Sequence, residues 1–332
     1  MNNYYIKRTG RAVLTLWVTV TLTFGLIRAI PGGPLEMLRA RLVRQGVDPS
    51  RIDAIIQSRQ QESQPIYVEY YEYMSSLLSG NLGESFYFRE PVSDIIIDAL
   101  PWTVFVMVTA TIILFAIAVV WGALIAYKEG STFDTASSGL SILLSSVPFY
   151  VLGILFVVVF SYKFGVFPAR YRTSPGISPE LSFLFIQDAL YHAALPIASV
   201  VITQVGLQTL AMRGNSIQVL GEDFVRVARL RGLSDRRIAT RYVGRNAILP
   251  MYTGFLTLIG FNLGGSVILE EIFTYTGIGY YMFEALINRD YPLMMGIFLV
   301  ITTALVLSVY IADLTYGLID PRVKSGDSNE AY

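Results

Sequence analysis

Residues 221–250 read GEDFVRVARLRGLSDRRIATRYVGRNAILP, an arginine-rich polar segment set between two long apolar runs. Glu222 and Asp223 suit a helix start, where carboxylates meet the positive end of the dipole, and Phe224, Val227 and Ala228 then recur at i, i+3, i+4 on one face. Gly232 interrupts that helix with backbone freedom for a turn. Ser234 is a good N-cap for a second helix, with Asp235 in its first turn. The pattern predicts a charged, amphipathic helix-turn-helix. Two readings follow: a surface on which another protein docks, or a basic loop that only sets topology.

Outward from this loop the chain becomes apolar. Of its 332 residues 53% are hydrophobic and 15% charged, a balance that suits lipid better than water. Six runs match the roughly 20 residues that cross a bilayer: 12–30, 101–127, 135–162, 189–212, 247–269 and 291–312. The first ends at Arg28, which can snorkel, and is read as a retained helix because it lacks a small-residue cleavage site. Six spans put both termini on one side. Lys7, Arg8 and Arg11 precede the first, Lys128 follows the second, and Arg226, Arg229, Arg231, Arg236, Arg237, Arg241 and Arg245 follow the fourth. All fall on one face, which the positive-inside rule makes cytoplasmic.

The predicted organisation is therefore an all-α integral membrane protein with both termini inside. Residues 1–30 form the cytoplasmic N-terminus and first span, 31–100 an extracytoplasmic helical cap, 101–316 the core with its loop at 216–248, and 317–332 a cytoplasmic tail. In the cap, Leu35, Leu38 and Leu42 recur at helical spacing until Gly46 and Pro49. A second helix begins at Asp48 or Ser50, and a third runs from Pro65 to a terminating Gly80. Tyr67, Tyr70, Tyr71 and Tyr73 read either as an interfacial belt or as a surface receiving a soluble partner.

Several chemistries are excluded. Cysteine is absent, so no disulfide or thiolate metal site is available, and the single histidine, His192, is expected to bond a neighbour. No nucleophile–base pair suggests an intramembrane enzyme. There is no G-x4-G-K-[ST] and no Gly-Lys pair, so this polypeptide is not expected to be an ATPase. A net charge of zero gives no reason to expect nucleic acid.

The order Ala228, Gly232, then Ile248-Leu249-Pro250 resembles the cytoplasmic EAA loop of ABC-importer permeases. The chain is similar from end to end to the B-type subunit of the dipeptide/oligopeptide branch. The strings that carry this are Pro31-Gly32-Gly33-Pro34, Gly80-Asn81-Leu82-Gly83, Ser146-Val147-Pro148, Leu195-Pro196, Arg289-Asp290-Tyr291-Pro292 and Asp320-Pro321-Arg322. Arg226 stands where the motif has its Glu, and Gly33 where the family usually has Asp.

The resemblance implies a type I ABC importer permease fold whose loop helix sits in a groove of a separate ATP-binding subunit. Phe224, Val227, Ala228, Leu230 and Gly232 would dock, Arg226, Arg229 and Arg231 would set electrostatic register, and Ser234 would start the second helix. The implied partners are a second homologous permease subunit, two ATP-binding subunits that hold the ATP and Mg, and an extracytoplasmic solute-binding protein. No cofactor is implied in this chain. Permeases of this kind move peptides; related systems carry oligosaccharides, glutathione or nickel.

Gly260, Gly264 and Gly265 give the fifth span a small-residue face for a partner permease or for packing within the subunit. Gln204, Gln208 and Asn262 are amides inside spans, suited to a translocation path or to interhelical hydrogen bonds. Glu270 and Glu271 are expected to meet water at the outer face. A secondary transporter remains the alternative, although it should show midplane carboxylates and two related halves, and neither is evident.

Overall fold

The structure, a computed structural model, describes residues 2–29, 38–39, 42–59, 65–177, 179–180, 182–262 and 267–319. It is helical, with one isolated bridge between Glu84 and Pro91. A peripheral α1 (Asn2–Ala29) precedes two short helices, α2 (Pro49–Arg59) and α3 (Ile66–Leu78). Then come α4 (Val92–Tyr127), α5 (Thr132–Ser145), α6 (Phe149–Phe156) with a π-helical continuation Val157–Lys163, and α7 (Phe183–Leu220). The polar loop carries α8 (Asp223–Leu230), α9 (Asp235–Arg237), a π turn Ile238–Gly244 and α10 (Arg245–Ala247). The rest is α11 (Leu249–Asn262), α12 (Val267–Ile272), α13 (Ile278–Asn288) and α14 (Tyr291–Ile319).

Four described helices are long and apolar enough to cross a bilayer: Arg8–Ala29, Val92–Tyr127, Phe183–Leu220 and Tyr291–Ala312. The predicted third span is instead two legs, Thr132–Ser145 and Phe149–Lys163, bent by 83° at Ser146-Val147-Pro148. Proline explains the site of the bend, because it lacks an N–H and biases the preceding residue away from the helical region. The predicted fifth span corresponds to α11 and α12 on either side of 263–266, which lie outside the described residues.

The helix that carries the second span begins earlier than the sequence suggests. Pro101 lies inside α4, which starts at Val92, so 92–100 belong to this helix. Val92, Ile95, Ile96 and Ala99 pack with Ile278 and Met282 of α13 and with Leu293 and Ile297 of α14, and that burial offsets the hydrogen bond lost at Pro101. Further along, Val106, Met107, Ala110 and Leu114 pack against Val200 and Val201 of α7 and against Phe273. Here α4 and α7 approach closely: a Cβ on Gly122 would lie 2.6 Å from the Met212 Cβ, and one on Gly206 would strike the Ser141 carbonyl of α5. These contacts join α4, α5 and α7 into one block.

The cap is built on α1. Tyr70 and Tyr73 of α3 each place their ring 5.4 Å from Phe24, and Arg28 is ion-paired with Glu69 rather than snorkelling alone. Tyr67 and Tyr71 are exposed, so the four tyrosines divide between packing and display. At α2, the Ser50 hydroxyl and then its amide N–H donate to Asp48 and hold that carboxyl below the usual range. Within the predicted first cap helix residues 35–37 and 40–41, like the strings at 31–34 and 320–322, lie outside the described residues.

Candidate functional site

The polar loop has its own small core. Val225 and Ala228 on one side of α8 are buried against Ile238 and Val243, with Leu220, Leu233 and Tyr242 around them. The opposite edge is apolar as well but faces outward: Phe224 is 40% exposed, Val227 50% and Leu230 82%. Arg226, Arg229 and Arg231 surround that edge, and all three are exposed. The sequence placed Ala228 with Phe224 and Val227; the structure moves it to the inner side. The reason is that α8 has two apolar edges, and the one carrying Val225 and Ala228 is the one that faces Ile238 and Val243.

Gly232 ends α8 with φ +69°. Its N–H donates to the Arg229 carbonyl at 2.9 Å and the Leu233 N–H donates to the Ala228 carbonyl at 3.3 Å, the paired bonds of a Schellman cap. An added Cβ there would meet nothing within 4 Å, so the demand for glycine is conformational and not steric. Ser234 occupies the N-cap position, but its side chain makes no capping bond; its carbonyl accepts from the Arg237 and Ile238 N–H groups.

The loop is held by α7 and α4, and α7 is in turn tied to α5. It begins directly after α7, and Asn215 of α7 donates to the Ala247 carbonyl at 3.3 Å where the loop returns. Tyr127, the last residue of α4, lies close enough to Asp235 to interact with it. Arg213 of α7 grips Asp134 of α5 with two parallel bonds of 2.7 and 2.8 Å, while the Gly130 N–H donates to the same carboxylate at 3.0 Å. Such a fork fixes orientation as well as distance. The sequence reading missed this pair. Its signal was the arginine beyond the apolar run of the fourth span and the aspartate three residues after the N-cap Ser131.

The other predicted sites are scattered. Gly260 faces Ser308 and Leu305 of α14, so its close approach is made within this chain; Gly264 and Gly265 lie outside the described residues. Asn262 donates to the Thr111 hydroxyl of α4 at 3.1 Å, an interhelical bond. Gln204 and Gln208 are half-buried one turn apart on α7.

At the opposite end of α4 charges turn inward. Glu270 does not meet water: it is buried, accepting from the Thr103 hydroxyl at 2.9 Å and the Tyr280 N–H at 3.1 Å. Asp290 is also fully buried, with the Ser85 hydroxyl at 2.5 Å and the Tyr87 N–H at 2.9 Å. Thereby Arg289-Asp290-Tyr291-Pro292 meets the segment after Gly80-Asn81-Leu82-Gly83, and Gly83 lies beside Pro292. His192 bonds within its helix, its Nδ1 3.1 Å from the Asp188 carbonyl oxygen.

Residues 118–325 match the family described as "Binding-protein-dependent transport system inner membrane component", and residues 1–108 match its N-terminal counterpart. The chain is 32% identical to the di/tripeptide transport system permease protein DppB of Pseudomonas aeruginosa, over 98% of this chain and 99% of that protein. It is 29% identical to the oligopeptide transport system permease protein AppB of Bacillus subtilis (98% and 100% covered) and 29% identical to the dipeptide transport system permease protein DppB of Escherichia coli (98% and 99%). With both segments matched and similarity running the whole length, the chain belongs to the family of binding-protein-dependent transport system inner membrane components.

Proposed function

We propose that this chain is the permease subunit of an ATP-driven importer that moves peptides across the cell membrane, coupled through α8 to a separate ATPase. The observation that carries the reading is the outward apolar edge of Phe224, Val227 and Leu230, framed by exposed arginines at the end of α7. A small apolar patch with a charged rim is the usual anatomy of a docking surface. The relatives are peptide permeases over nearly their full lengths, which supports the cargo class.

In this reading the bent pair counts as one span and α11 with α12 as another, giving six, with both termini and the loop inside. A second, homologous permease completes the pathway, two ATP-binding subunits hold ATP and Mg, and a solute-binding protein delivers cargo from outside. This chain contributes no ATPase site.

Affinity purification of the tagged chain should bring ATP-binding subunits with it, and reconstituted vesicles should take up short peptides only with ATP on the loop side. Uptake by the chain alone, driven by an ion gradient, would replace this reading with a secondary transporter. The orientation has its own check. The chain has no native cysteine. Ser234→Cys should be protected from an impermeant thiol reagent in intact cells, and Tyr71→Cys should react; labelling of S234C from outside would reverse the topology.

A further inference from the structure

A cavity of about 680 Å³ opens between the first turns of α4 and those of α7. Its wall is mostly apolar, with Ile97 and the aromatic Trp102, Phe105 and Phe185, and Asp94 and Asp98 stand on the same wall. Asp94, Ile97, Asp98 and Pro101 recur at i, i+3, i+4, i+7 along one exposed side of α4.

The two carboxylates are not equivalent. Asp98 is matched: Arg172 Nη2 lies 2.8 Å from its Oδ2, and the guanidinium sits 5.0 Å over the Trp102 ring while also donating to the Thr276 carbonyl at 3.3 Å. Asp94 accepts from the neighbouring Ser93 hydroxyl at 3.2 Å, and no basic side chain among the described residues pairs with it. The cavity therefore carries, beside its aromatic side chains, one carboxylate that no basic side chain among the described residues pairs with.

Its position follows from helix length. The 36 residues of α4 extend about 54 Å at 1.5 Å per residue. The hydrocarbon layer is about 30 Å thick, so the ends of α4 rise beyond it. Tyr127 marks the loop end, and Asp94 the far end. Asp94 is exposed in the first turn of α4, with Trp102 two turns further toward the middle of the helix, where indole is favoured at an apolar boundary.

We propose that this cavity is an entry subsite for a small solute carrying a primary ammonium beside an apolar group, namely the free N-terminus of a short peptide. Asp94 takes the ammonium, and Trp102, Phe105 and Phe185 hold the side chain. The size fits, since small-molecule sites span roughly 300–1,000 Å³. Anions are repelled, and solutes without the amine forgo the charge-assisted hydrogen bond. The Arg172–Asp98 pair sets the rim. This inference rests on the peptide-permease reading.

The test uses the assembled transporter in phosphatidylcholine nanodiscs with Ile97→Cys, a position 70% exposed. An impermeant maleimide labels it, and the mass of this subunit gives the rate. The dipeptide Leu-Phe should slow labelling, and its N-acetyl form should need about tenfold more for half-protection, a difference of ~1.4 kcal/mol. Asp94→Asn should weaken protection by Leu-Phe by a similar factor and leave the acetylated peptide unchanged. Ile186→Cys serves as a second reporter should I97C fail to assemble. Equal protection by the two peptides, or protection indifferent to D94N, overturns the proposal. So does protection without peptide that appears only when phosphatidylethanolamine is added, which would give the cavity to lipid. Uptake is measured separately: normal Leu-Phe uptake without protection removes the subsite alone, whereas failure of the wild-type complex to take up any peptide removes the permease reading beneath it.

Discussion

The two ends of α4 treat charge in opposite ways. At the loop end Arg226, Arg229 and Arg231 stand in water around an exposed apolar edge, held in place by a small core behind them. At the other end Glu270 and Asp290 are withdrawn from water, and each accepts hydrogen bonds from a segment distant in sequence. An exposed charge costs little to keep and is free to meet a partner, whereas a buried one must be satisfied and thereby ties its donors together. The division is not complete, since Asp134 is buried against Arg213 at the loop end and Asp94 and Asp98 stay exposed at the far end. The arginines of the loop are nevertheless displayed, whereas Glu270 and Asp290 fasten.

The sharpest challenge to this contrast is Asp290→Ala. It removes the acceptor of the buried Ser85 hydroxyl, at a cost of about 1–3 kcal/mol for the abandoned group, and takes away the carboxylate that the Tyr87 N–H meets. The melting temperature of the solubilised protein should fall clearly, with Asp290→Asn intermediate. An unchanged melting curve would show that the outer segments are fastened by packing alone.

Next in size is Gly232→Val. A left-handed residue without glycine costs about 1–2 kcal/mol, more for a β-branched side chain, and the strain falls where the two loop helices join. Membrane insertion should be normal while ATPase assembly and uptake drop. Full uptake with an intact complex would take Gly232 out of the coupling path.

The loop's two apolar edges should separate cleanly. Val225→Ala removes buried methyl groups and should destabilise the loop by about 1–2 kcal/mol. Leu230→Ala, on an exposed edge, should stay within about 0.5 kcal/mol yet reduce co-purification of the ATP-binding subunit. If V225A and L230A lose the partner equally while both remain stable, the inner and outer edges are not distinct in function.

The smallest effect belongs to the rim. Arg229→Gln should leave stability unchanged and mainly flatten the salt dependence of ATPase assembly, because rim charges act on encounter more than on final affinity. Assembly rates that overlay the wild type at two ionic strengths would leave these arginines with topology as their only role.

Much of this was legible in the chain itself. Hydropathy and charge are local sums, so the apolar runs, the arginine loop and its turn at Gly232 could be read directly, and the ordered short strings pointed to the permease family. The tertiary structure decided what depends on remote neighbours. Glu270 meets a hydroxyl 167 residues away, Asp290 one 205 away, and Arg213 a carboxylate 79 away. No average over a window reveals such partners, so Glu270 reads as solvated when it is buried. The same limit hid the inward turn of Ala228, the 83° bend of the third apolar run, the start of α4 at Val92 and the cavity beside Trp102. A sequence states which side chains are apolar or charged; which neighbour covers or pairs each one is settled when the helices pack.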